Sequence, residues 1–137
     1  MMGRILEDLG KMCVAGAAVV DIDKQAEKII RAVGARPAFK GYKTHVSDRP
    51  FPATVCISLN TELVHGIPKR GVKLKDGDII SLDIGMEWPY SKKEKGVYTD
   101  TAITVAVGAI PAKTQKLMDV TRESLERGIR AAQPGNS

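Results

Sequence analysis

Two aspartates pose the chemical question. Asp83 and Asp100 each stand in an alternating apolar run, Ile79 to Met86 and Val97 to Val107. Alternation of that period predicts two strands, and the polar stretch from Glu87 to Gly96 predicts the hairpin between them. Opposed residues in an antiparallel pair have a constant sum of residue numbers. A loop centred between Tyr90 and Lys93 therefore places Asp83 opposite Asp100. Asp83 shares its side with Ile79, Ser81 and Gly85, and Asp100 shares its side with Tyr98, Ala102, Thr104 and Ala106. The bulkier residues Ile80, Leu82, Ile84, Ile103, Val105 and Val107 point the other way. Cβ atoms so opposed lie about 5 Å apart, where like charges destabilise a sheet. Such a pair either shares a proton or holds a cation. Oxygen ligands suit Mg²⁺, Ca²⁺ or Mn²⁺, and a neighbouring imidazole extends the choice to Fe²⁺, Co²⁺ or Zn²⁺. A different register would leave both as exposed strand aspartates, because long hairpin loops fix register poorly.

A nearby imidazole is available in the run Val64-His65-Gly66-Ile67-Pro68. Gly66 and Pro68 preclude regular structure there, so His65 lies on a turn. It reads either as a donor and proton carrier beside a metal or as a surface histidine with no role. His45, in the loop from Lys43 to Phe51, is assigned none. Cys56 alternates inward on its strand, and no basic residue stands beside it, so it reads as packing or pocket wall rather than nucleophile. Phe39, Tyr42, Phe51 and Cys56 either line an apolar pocket or fill core.

These residues need a scaffold, and 137 residues are enough for one domain, 1–137, burying roughly 70% of its unfolded surface. With 43% apolar and 27% charged residues the composition excludes a disordered tail. No run approaches the roughly 18 apolar residues of a membrane span. Two cysteines are too few for a secreted disulfide framework, which points to a reducing cytoplasm. The net charge of +5 is partly concentrated in Lys69, Arg70, Lys73 and Lys75, and in Lys92, Lys93 and Lys95. These clusters read as solvated loops, or as weak steering toward RNA such as a ribosome surface. Only 4% aromatics and no stacking motif argue against dedicated nucleic-acid reading.

The periodicity predicts a first helix over Gly3–Ala18, with Ile5, Leu6, Leu9, Met12 and Cys13 on one stripe. A second starts at an N-cap, Asp21 or Asp23, and stops at Gly34. Residues 35–52 read as loop, and Ala53–Leu59 as a strand ended by Asn60. Lys75-Asp76-Gly77-Asp78 reads as a turn, and Pro111 opens a last helix over Ala112–Ala132. That helix carries Leu117, Val120, Leu125 and Ile129 on its apolar side. Two helices, an antiparallel sheet and one more helix make an α+β domain.

Several runs occur together and in order: Pro37-Ala38-Phe39-Lys40-Gly41-Tyr42, Phe51 to Asn60, Val64 to Pro68, Gly77 to Asp83 and Tyr98-Thr99-Asp100-Thr101-Ala102. In these the sequence resembles the N-terminal part of type I methionine aminopeptidases. The resemblance implies half of a pita-bread fold, two pseudo-symmetric α/β halves around a dinuclear centre of Co²⁺, Mn²⁺, Fe²⁺ or Zn²⁺. It implies Asp83 and Asp100 as metal ligands, Asp83 as the bidentate one, and His65 as the catalytic residue contacting the scissile amide. Phe39, Tyr42 and Cys56 match the substrate pocket for the methionine side chain. The implied activity is cytosolic removal of Met from the N-termini of nascent peptides, with metal-activated water attacking the first carbonyl.

The family's remaining His ligand, its two Glu ligands and also its general-base Glu have no counterpart before the last residues, Pro134-Gly135-Asn136. Metal binding is therefore expected to be weak. Two insertions depart from the pattern, Lys43 to Pro50 before the strand and Glu87 to Gly96 in the hairpin. The open sheet face leads us to expect self-association or a complementing half. The expectation is a truncated enzyme whose site is completed only by a dimer or partner. The competing readings are a catalytically inactive peptide- or ribosome-binding module, and a fragment with no activity.

Overall fold

A computed structural model of the protein describes residues 1–136. Its elements are α1 (Met2–Lys11), α2 (Val19–Ala32), β1 (Arg36–Pro37), β2 (Val55–Leu59), β3 (Ile79–Trp88), β4 (Val97–Ala106) and α3 (Ala112–Ala131). The longest alternating runs form the centre of the sheet. β3 pairs antiparallel with β4 along one edge, and with β2 and then β1 along the other. One face of β3, made by Ile80, Leu82, Ile84 and Met86, is buried, together with Val55 and Ile57 of β2. Against that face lie Met2, Ile5, Leu6 and Leu9 of α1 and Val19, Ile22, Ala26 and Ile30 of α2. The buried residues of α1 follow the spacing i, i+3, i+4, i+7 and those of α2 the spacing i, i+3, i+7, i+11, and each set presents one apolar stripe to a sheet. The sheet and two helices form the expected α+β layers, and the opposite sheet face, carrying Asp83, is left for chemistry.

Local chemistry shifts several expected boundaries. α1 ends at Lys11 rather than Ala18, because the chain turns at Gly16 (φ 89°), whose N–H donates to the Leu74 carbonyl. α2 begins at Val19, with Ala18 in the N-cap position and no side-chain cap. Neither Asp21 nor Asp23 caps it. The Val19 N–H donates to the Val72 carbonyl, and Asp21 instead pairs with Lys24 at 2.9 Å. Asp23 faces the sheet, where Oδ1 accepts the Thr54 N–H at 2.7 Å and the Val55 N–H at 2.9 Å. The end of α2 is as expected. Gly34 takes φ 73°, its N–H donates to the Arg31 carbonyl, and the Ala35 N–H reaches back to Ile30, a Schellman closure.

Within the expected loop 35–52, Arg36 and Pro37 form an edge strand opposite Glu87 and Met86. A two-residue strand leaves no alternation to read, and Pro37 is tolerated because it lies at a sheet edge. Opposite this edge, the hairpin register departs from expectation by two positions. Asp83 pairs with Ala102, and Asp100 pairs with Gly85. The strands run further into the hairpin, to Trp88 and Val97, and Glu87 holds them there. Its buried carboxylate accepts the Gly96 N–H at 3.1 Å and the Tyr98 hydroxyl at 3.3 Å, and it pairs with Arg36.

α3 forms where expected but leaves its apolar side to solvent. Leu117, Val120, Leu125 and Ile129 are 53–64% exposed, and no residue of the helix is buried. The apolar face of the sheet is already covered by α1 and α2, so nothing among the described residues remains for α3 to cover.

Two substitutions test these ties. The Gly96 N–H, followed by Arg36 and Tyr98, holds the Glu87 carboxyl below its ordinary 4.5. A depressed folded-state value means its contribution is present above about pH 4.5 and is lost as pH falls through the lowered value. Glu87→Gln is expected to lower the melting temperature at pH 7, and that deficit is expected to shrink progressively as the pH falls below about 4.5, read by circular dichroism. Asp23→Ala strands two backbone donors and is expected to cost about 1–3 kcal/mol in urea unfolding. An unchanged midpoint would contradict the assigned role of Asp23.

Candidate metal and peptide site

Asp83 occupies the middle of the sheet, with Cys56 beside it on β2 and Ala102 beside it on β4. Because Gly85 and Asp83 share a face and Gly85 pairs with Asp100, the two aspartates lie on one face, diagonal to each other. The expected common side is therefore present, although the direct opposition is not. The diagonal offset follows from the tighter hairpin. Diagonal neighbours lie about 7–8 Å apart along the backbone, near enough for side chains to converge.

The electrostatics of the pair are unfavourable as they stand. Oδ1 of Asp83 is buried with no hydrogen-bond partner. Burial first, and then the like charge of Asp100, pushes Asp83 up to about 6, while His65 pulls in the opposite direction. A buried carboxylate oxygen with no donor, next to a second carboxylate, fits a cation: a positive ion would satisfy the oxygen and relieve the repulsion. Among the described residues no third His, Cys, Asp or Glu joins them in a group able to hold a metal. The donor set is thus half of a hard-cation shell, and it fits a divalent ion only with further ligands.

Three backbone features place the other predicted residues. Gly66 lies against β2: the Ile57 N–H donates to its carbonyl at 2.8 Å, and its own N–H donates to the Ser58 Oγ at 3.1 Å. A Cβ there would sit 2.1 Å from the Ile57 oxygen, so only glycine fits. That contact carries His65 to the cavity beside the aspartates, in a left-handed conformation (φ 58°) uncommon for a residue with a Cβ. On β3, Gly85 leaves room for the Phe39 ring, whose Cε1 would lie 2.6 Å from a Cβ at that position. The Ala38 N–H donates to the Gly85 carbonyl at 2.9 Å, which anchors Phe39 over the sheet.

Phe39, Tyr42, Cys56, His65, Asp83 and Asp100, all the residues singled out for the site, line a single cavity of about 630 Å³. That volume is within the range of ligand pockets, about 300–1,000 Å³. Cys56 is 5% exposed, and burial, reinforced by Asp83 and Asp100, pushes its thiol up to about 11. A neutral thiol is wall rather than nucleophile. Tyr42 lines the cavity from its open side. His45 does not line it.

Sequence reasoning did not anticipate Gly85, although a glycine within a strand signals close approach of another group. Nor did it assign Lys43, Asp48 and Arg49, which also line the cavity. They sit in an irregular loop, where no periodicity indicates direction.

Comparison with known proteins agrees with this geometry. The family model described as metallopeptidase family M24 matches residues 2–137. The chain is 44% identical to methionine aminopeptidase 1 of Bacillus subtilis, over 97% of this chain and 50% of that protein. It is 37% identical to methionine aminopeptidase of Aquifex aeolicus, over 98% of this chain and 50% of that one. Among solved structures, methionine aminopeptidase from Thermotoga maritima superposes with a TM-score of 0.83 at 32% identity, over 96% of this chain and 48% of that one. The chain thus spans about half the length of the curated relatives it matches, and its fold is that of half a pita-bread domain. This chain belongs to metallopeptidase family M24.

Proposed function

We propose that this chain forms one half of a metal-dependent methionine aminopeptidase site, which acts on the N-terminal Met of nascent peptides when a second half completes it. The observation that carries the reading is the Asp83–Asp100 pair on one sheet face, with a buried unpartnered Asp83 oxygen at the floor of the cavity. Asp83 and Asp100 would hold the divalent ion. When bound, such an ion supplies a Lewis acid and activates water at neutral pH.

The remaining work falls to the chain's own residues. Phe39, Tyr42 and Cys56 present apolar surface to the methionine side chain, and the neutral Cys56 thiol packs without competing for the carbonyl. His65, held by Gly66 at the wall of the cavity, donates a hydrogen bond to the scissile amide. The walls half-bury Asp83 and fix the amino-terminal residue over the pair, while Asp100 stays open to solvent on this half. Further ligands come from outside the described residues: a second copy, a partner, or the matching half of the relatives' length. Co²⁺, Mn²⁺, Fe²⁺ and Zn²⁺ are the candidate ions. The site of action is the cytoplasm near the ribosome. No helix among the described residues is long and apolar enough to cross a membrane.

A second reading is favoured by one specific observation, the absence of a third ligand among the described residues. A chain that holds the peptide in the cavity without cleaving it would serve as a binding module. Hydrolysis of a Met-Ala-Ser peptide with Mn²⁺ or Co²⁺ decides between the readings, comparing the chain with Asp83→Asn over a range of chain concentrations. The enzyme reading expects Met release that falls to background in the variant. If a second copy completes the site, the rate per chain rises with chain concentration. Peptide binding without Met release supports the module. Equal release by both proteins contradicts the metal role of Asp83.

A further inference from the structure

We infer that the loop of residues 43–50 gives this cavity a cationic rim, so that the chain favours peptides carrying a carboxylate close to their amino-terminal residue. The inference rests on the peptide-site reading above and adds a substrate class to it.

The loop is closed at its base rather than free. The Phe51 N–H donates to the Tyr42 carbonyl at 2.8 Å, and the Gly41 N–H donates to the Phe51 carbonyl at 2.9 Å. Its tip is a turn in which the His45 N–H donates to Oδ2 of Asp48 at 2.7 Å and the Asp48 N–H donates to the His45 carbonyl at 3.0 Å. This frame directs Lys43 and Arg49 to the cavity that also contains Asp83, Asp100 and His65. Asp48, the loop's one acidic residue, is engaged by the turn. Among the described residues, neither Lys43 nor Arg49 has a carboxylate within ion-pair distance. The Lys43 ammonium donates only to the Val46 carbonyl, at 3.3 Å.

The cavity is thus polarised. Its floor is acidic and takes positive charge, whether a metal ion or a peptide amine. Its rim carries Lys43 and Arg49 against the one carboxylate of Asp48, which the turn holds, so the rim is net cationic. At about 630 Å³ the space is several times the volume of a methionine side chain, so the residues that follow the amino terminus reach the rim. A carboxylate there meets both cations with the correct sign, and a lysine meets repulsion. The carboxylate has two possible sources, an acidic side chain or the free C-terminus of a very short peptide.

Calorimetric titration of the whole chain with four peptides tests this: Met-Ala-Glu-Gly-amide, Met-Ala-Gln-Gly-amide, and Met-Ala-Gly as acid and as amide. At low ionic strength the Glu peptide or the free acid is expected to bind about threefold or more tightly than its neutral counterpart, since exposed ion pairs are individually modest. Which of the two gains identifies the source. The ratio is expected to fall toward one in the double variant Lys43→Gln, Arg49→Gln and in about 0.5 M salt. An unchanged affinity of that variant for the neutral peptides shows that the cavity is intact. Equal binding of charged and neutral peptides, or a preference that survives the double variant, overturns the inference and leaves the peptide site standing. Failure of every peptide to bind overturns both.

Discussion

Two carboxylates on one face of a sheet, one exposed and the other half-buried with an oxygen that no donor reaches, form an arrangement that works against its own charge. Burial and the like charge of Asp100 both act against ionisation of Asp83, which is why its carboxyl is pushed up to about 6. A proton relieves part of that cost at low pH. At neutral pH the cation of the proposed site would supply that relief, and the residues around Asp83 leave it a cavity. Gly85 clears the sheet for the Phe39 ring, Gly66 brings His65 to the cavity, and Cys56 remains a neutral wall.

The scaffold explains why the pair is held so firmly. β3 is paired on both edges, and its other face is buried against α1 and α2, so Asp83 cannot move without moving the core. Asp100 depends on the hairpin register, and that register depends on the buried carboxylate of Glu87, which joins Gly96, Tyr98 and Arg36. A slip by one residue would turn Asp100 toward the helices. The Glu87 contacts, two positions along the ladder from Asp100, thereby hold the register that puts both aspartates on one face. Completion of the site from elsewhere, as proposed above, would give the exposed apolar residues of α3 and the two carboxylates their partners. That agrees with a chain spanning about half the length of its relatives.

Much of this was legible in the residues because alternation is a strong signal. The two long strands, their buried faces and the common side of Asp83 and Asp100 all follow from a period of two. The end of α2 follows from Gly34, which only an αL closure requires. What remained illegible depends on contacts distant in sequence. The register was set by Glu87 reaching across the hairpin, not by loop length. Asp23, well placed to cap α2, was taken by the backbone of Thr54 and Val55. The apolar stripe of α3 has the correct period but no surface here to meet. The rim residues Lys43 and Arg49 lie in a segment with no periodicity, and only coordinates reveal that they face the cavity.

The most direct measurement of the central claim is anomalous diffraction from crystals of the chain soaked in Mn²⁺ at neutral pH. The account predicts an anomalous peak between the carboxylates of Asp83 and Asp100, in contact with the Asp83 oxygen that otherwise has no partner. Mn²⁺ bound elsewhere, with no peak at that pair, would contradict it.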